Sequence, residues 1–231
     1  MSKPFGISAQ LTGYMGPDVV ETLPEGAFEV EIKNSAMTVG FDSEADRAKA
    51  VEIGEAYVRA HTFRTDQKIT ADFDQTWRAN KAGGTGYSIS VSDAIKPTGR
   101  LQIEVTSANG KDGAEPERYD EASFANDAEL ARKSLKDPIL ADSLKFFAEE
   151  VVDGDRPLYG AYKSVEVIKK HVGGWDKLAD LAGQSHAYVN ALTNAAQDTR
   201  HAGAPRHKLT EAECKIRAKV LIQAYAYTMS L

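Results

Sequence analysis

The sharpest alternation of apolar and polar positions in the chain is Phe28-Glu29-Val30-Glu31-Ile32, which predicts a strand with one buried face. Asn34-Ser35 supplies turn chemistry, and Ala36 to Phe41 is expected to return as the partner strand. Ser43 then reads as an N-cap with Asp46 in the capping-box position, opening an Ala- and Glu-rich helix that should run to about His61. Ile69-Ala71-Phe73, Tyr87-Ile89-Val91 and Leu101-Ile103-Val105 alternate again and predict three more strands. The resulting order, ββαβββ, describes a small α/β domain over residues 1–107, with an antiparallel or mixed sheet and a helix on one face.

A polar stretch with two glycines and a proline, Ala108 to Arg118, follows and marks a linker placed at 108–124. Beyond it the apolar period changes from two to 3.6, which predicts an all-α bundle of four main helices over 125–231. Asp137-Pro138 is an N-cap and first-turn pair, and Leu140, Leu144, Phe147 and Val151 form one stripe. Leu158, Ala161, Tyr162, Val165, Ile168 and Val172 form the next, stopped by Gly173-Gly174. A short helix is expected around Trp175 to Leu181, and another capped by Ser185 with Tyr188, Leu192, Ala195 and Thr199 on one face. Thr210 and Glu213 make a capping box for the last helix, with Leu209 and Cys214 at the staple positions. The fold class is therefore α+β.

Composition narrows the class. A hydrophobic fraction of 42% and a charged fraction of 27% are globular values. No apolar run is long enough to span a membrane, and Met1 to Phe5 carries no signal-like apolar stretch, so a cytoplasmic location with no membrane partner is expected. One cysteine excludes an internal disulfide. The net charge of -6 is uneven: residues 157–231 hold ten basic against six acidic side chains, and residues 1–156 hold 18 against 28. A basic part within an acidic protein suits a polyanion site of limited extent, or is ordinary variation in surface charge.

The basic part is densest at Arg200-His201-Ala202-Gly203-Ala204-Pro205-Arg206-His207, between the last two expected helices. A helix end explains these residues: cations favour the negative end of the macrodipole, Gly203 permits a left-handed turn, and Pro205 blocks continuation. The same residues also suit phosphoryl chemistry on RNA. Histidine moves protons near neutral pH, and arginine offers a planar fork to phosphate oxygens. Asp198 could orient Arg200, while Arg206 and Lys208 could contact phosphate.

An Arg-x6-His spacing, Arg200 to His207, between the last two helices of a compact bundle resembles the HEPN superfamily. The Arg200-His201-Ala202 tripeptide before a final capped helix is also similar to that of uncharacterised bacterial proteins. The resemblance covers roughly residues 125–231. It implies a metal-independent endoribonuclease or RNA-associated defence or toxin factor, homodimeric through the helical domain, with RNA as partner and no cofactor. Arg200 would then bind phosphate, with His207 or His201 as the proton-transfer group, because His201 stands where Asn is usual in the family. The alternative is a non-catalytic binding or dimerisation protein whose N-terminal domain recognises a ligand or protein partner.

His186, His201, His207 and Cys214 fit no tight metal-ligand spacing, and no metal is expected. Cys214 reads as a small core residue, and Trp77 and Trp175 as core or interdomain anchors. Tyr159 and Tyr162, with Glu166 near one helix face, are either core packing or a stacking surface for bases. Gly83-Gly84-Thr85-Gly86 reads as a hairpin loop, since it lacks the ending of a phosphate loop and opens no helix.

Overall fold

The computed structural model describes residues 3–14, 16–23, 26–73, 75–79, 85–89, 121–152, 157–200 and 209–230. Within them the Phe28–Ile32 alternation becomes strand β3 (Phe28–Lys33), paired antiparallel with β4 (Ala36–Phe41). Asn34 and Ser35 both take positive φ, 51° and 57°, the conformation a two-residue hairpin turn demands. The register sets Val30 against Val39 and Ile32 against Met37, so one face of the hairpin is fully apolar.

Two strands precede this hairpin that the sequence reading did not anticipate: β1 (Phe5–Gln10) and β2 (Val19–Thr22). With β5 (Gln75–Ala79) and β6 (Thr85–Ile89) they complete a six-stranded antiparallel sheet in the order β2-β3-β4-β1-β5-β6. The expected order ββαβββ is thereby corrected to four strands, a helix and two strands among the described residues. The segment Ile69-Ala71-Phe73 is also corrected, because it is not a strand. Its only ladder contact is one bridge between Thr70 and Thr12, yet Ile69 and Phe73 are buried. Alternation there records burial against a helix, and burial alone does not require a strand neighbour. The expected strand at Tyr87–Val91 overlaps β6 (Thr85–Ile89), which starts two residues earlier, while Ser90, Val91 and Leu101–Val105 lie outside the described residues.

Ser43 caps a short 3-10 turn (Glu44–Asp46) that leads into helix α1 (Arg47–Thr65). The helix outruns the expected end at His61 by one turn and stops where Asp66 adopts a left-handed φ of 56°. Gly54 is required where Phe73 crosses α1, since a Cβ there would lie 2.3 Å from the ring. The apolar face of the sheet packs on α1 through Ile7, Val30, Val39 and Ile53.

The helical remainder comprises α2 (Glu121–Lys136), α3 (Pro138–Phe146) running into a π-helical segment at Phe147–Val152, α4 (Pro157–Val172), α5 (Trp175–Leu181), α6 (His186–Arg200) and α7 (Glu211–Tyr227). Helix α2 was not foreseen because its buried contacts come from Ala128 and Ala131, small side chains that make a weak hydrophobic stripe. It packs with the sheet core, whereas α3 to α7 close around Leu140, Phe147, Val165, Ile168 and Leu221. The caps at Asp137 and at Thr210–Glu213 form as the sequence predicts. No helix among the described residues is long and apolar enough to cross a membrane.

The two cores are joined through α1 and α2. Phe63, near the end of α1, belongs to the helical core and meets Phe147 edge-on at 4.9 Å. Lys219 on α7 donates to the Arg64 carbonyl at 3.0 Å and to Asp66 Oδ2 at 2.8 Å.

Candidate functional site

Helix α6 is described as far as Arg200, and the capping box of α7 opens at Thr210, so the basic segment lies between these two helices in chain order. The start of α7 is well determined: Thr210 Oγ1 accepts from Glu213 N–H at 3.2 Å, and Glu213 Oε2 accepts from Thr210 N–H at 2.7 Å. These hydrogen bonds hold the Glu213 carboxyl below its ordinary range. Helices α6 and α7 are tied by Arg217, which donates to the Tyr188 carbonyl at 2.6 Å and lies 4.2 Å over the Tyr188 ring. Asp198 and Arg200 fall in the last turn of α6, where the backbone alone is described. His201, Arg206, His207 and Lys208 lie outside the described residues.

The other residues considered as metal ligands are placed. His186 Nδ1 is 2.9 Å from Asp176 at the protein surface, and Cys214 is fully buried in the helical core. Burial pushes the Cys214 thiol up to about 11, with Arg217 opposing the shift. Among the described residues no group of three His, Cys, Asp or Glu is placed to hold a metal ion.

His61 was read from sequence only as a helix end, yet it is the most enclosed histidine among the described residues. Its Nδ1 is 3.0 Å from Asp127 Oδ2 across the α1–α2 contact, and Arg64 Nε stands 3.6 Å from the other carboxylate oxygen. The Tyr14 ring lies 5.0 Å from the imidazole. An Asp-His pair can orient a proton-transfer group, but the adjoining cavity of about 10 Å³ has room for roughly one water molecule. The pair therefore fastens α2 to α1. Beside it, Glu21 accepts from both Tyr57 Oη and Arg132 Nη1, linking β2 to the same two helices. Burial and this carboxylate push the Tyr57 hydroxyl pKa up.

A larger cleft of about 320 Å³ opens at one end of the sheet, between β1, β4 and β5 and the start of α1. Phe5 and Phe41 stack at 6.0 Å with an 11° interplanar angle, and the Arg78 guanidinium lies 5.1 Å over Phe5. Trp77 lines the cleft over Gly6, where even a Cβ would come within 2.4 Å of the indole. Glu44 and Arg47 stand at the rim, both exposed. Flat apolar walls with guanidinium groups at the edge suit a planar molecule carrying negative charge. The sequence offered no local sign of this cleft, because its residues come from three strands and a helix start. Trp77, read as a core or interdomain anchor, is half-buried here. No family model, curated protein or solved structure matches the chain.

Proposed function

We propose that the helical half is a HEPN-like, metal-independent endoribonuclease acting as an RNA-associated defence or toxin factor, with homodimers forming through this half. The observation that supports it is positional: α6 is described as far as Arg200 and a capped α7 begins after Thr210, so the Arg200-to-His207 segment lies between the last two helices in chain order. In this reading Arg200 holds the scissile phosphate and stabilises its developing charge. His207 or His201 moves the proton to or from the ribose oxygen. Expression of wild type beside Arg200→Ala, His201→Ala and His207→Ala tests it, scored by growth arrest and by RNA cleavage in EDTA. Arrest and cleavage should vanish in Arg200→Ala and in one histidine variant. A harmless wild type that leaves RNA intact sinks the reading.

A second reading, recognition of a small ligand by the N-terminal domain, is favoured by the aromatic, guanidinium-rimmed cleft. Phenyl phosphate is a suitable probe, followed by Trp77 fluorescence in a Trp175→Phe background. Saturable quenching that weakens in Arg78→Ala supports it. The same response to inorganic phosphate alone, or no response, removes it.

A further inference from the structure

One surface of the helical half combines half-buried aromatic rings with positive charge. Phe146 ends α3, Tyr159 and Tyr162 are one turn apart on α4, and Trp175 opens α5. The two tyrosine rings stack at 6.4 Å with a 25° interplanar angle, and Tyr162 continues to Trp175 at 5.7 Å. Lys163 Nζ lies 4.8 Å from the Phe146 ring centre and 5.7 Å from that of Tyr159, while Lys169 Nζ lies 5.3 Å from that of Trp175. All six side chains are half-buried.

This row is distinct from the packing face of its own helix. Ala161, Val165 and Ile168 of α4 are fully buried in the helical core, whereas Tyr159 and Tyr162 belong to neither core cluster among the described residues. The acid within the row, Glu166, is engaged: it accepts from Tyr162 Oη at 3.1 Å and pairs with Lys170 at 3.6 Å. Asp176, exposed beside Trp175, is likewise paired, with His186 at 2.9 Å, so the row's rings and lysines adjoin acids that already have partners.

We infer that this row is a binding track for single-stranded nucleic acid, its bases stacked on the rings and its phosphates beside the lysines. Stacking on successive aromatic faces with flanking positive charge is how single strands are held without regard to sequence. A duplex hides its base faces, and an acidic peptide would meet the lysines but leave the rings unused. Apart from Phe146, the track lies within residues 157–231, which carry ten basic against six acidic side chains. The choice of RNA over DNA rests on the ribonuclease reading above, whereas the track itself does not.

Fluorescence anisotropy of a labelled oligouridylate with the full-length protein, in EDTA and at low salt, tests the track. Wild type should bind saturably. Tyr159→Ala and Tyr162→Ala should each weaken binding about 5- to 150-fold, the range expected for one lost stacking face. Tyr162→Phe, which keeps the ring, should bind as wild type does. Lys163→Gln should reduce the slope of log affinity against log salt by about one phosphate contact. Circular dichroism checks that the variants keep their helices. Absence of saturable binding, or tyrosine variants that bind like wild type, overturns the track. Tyrosine-dependent binding without cleavage by any form leaves the track standing and removes the ribonuclease reading. Cleavage with tyrosine-independent binding does the reverse.

Discussion

At the scale of single residues, His61 and Cys214 show how one property, burial, has different consequences. Asp127 is the partner of a histidine that water barely reaches, so truncating it strands the imidazole in a poorly solvated place. Asp127→Ala should cost about 3–5 kcal/mol in urea unfolding, while replacing both Asp127 and His61 with leucine should cost much less, because no member of the buried pair is left behind and Arg64 reaches water. Equal losses for the single and double variants would show that packing, not the pair, matters. For Cys214, burial raises the thiol from 9.0 to about 11. The folded chain then keeps the proton where the unfolded chain releases it. Its contribution to stability is whole below pH 9.0 and is lost as pH rises to about 11. Labelling by a thiol reagent at neutral pH should accordingly follow the rate of unfolding, and rapid labelling of native protein contradicts this.

At the scale of elements, the helix starts were legible, and β1, β2 and β5 were not. Thr210 with Glu213, Asp137 with Pro138, and the glycine stop at 173–174 act within a few residues, so the spacing that predicts them also builds them. Thr210→Ala should cost about 1 kcal/mol by thermal or urea unfolding, and an unchanged midpoint would show the cap to be idle. The central strand β1 has Phe5, Ile7 and Ala9 on one face but Gly6 on the other, where Trp77 from β5 lies across it. Nothing local reports that contact. Gly6→Ala should push the indole aside, shift tryptophan emission and cost about 1–3 kcal/mol by overpacking. An alanine accepted without either change would mean the ring moves freely. The stretch at Ile69–Phe73 makes the complementary point: an alternating pattern was real, and the partner was a helix.

At the scale of the whole molecule, two cores share a seam rather than meeting through a linker alone. Phe63 extends from the sheet's own helix into the helical core, and α2 extends back to the sheet through Ala128 and Ala131. Wild type should therefore unfold in one cooperative transition. Phe63→Ala should cost about 3–5 kcal/mol, and because it loosens the seam it should separate the near-ultraviolet signals of the two halves. Two transitions already present in wild type would show that the seam carries little. The candidate ribonuclease site was legible as a segment, since charge density and flanking helices are read directly from residue order. The buried Asp-His pair and the sheet-end cleft were not legible as sites, because each joins residues from separate elements, whereas Tyr159 and Tyr162 of the aromatic row could be read as a pair on one helix but not their neighbours Phe146 and Trp175.

The sequence by itself determined where α3, α5, α6 and α7 begin and where α4 stops, the central hairpin, the uneven charge and the basic segment after Arg200. Each depends on neighbours a few positions apart, through capping hydrogen bonds, turn dihedrals and side-chain period. Only the tertiary structure decided the strand order, the placement of α2 on the sheet core, and the surroundings of His61 and Trp77. Those depend on which surfaces meet when apolar area is removed from water. That choice is made among distant segments, and the local pattern that makes a face apolar does not name its partner.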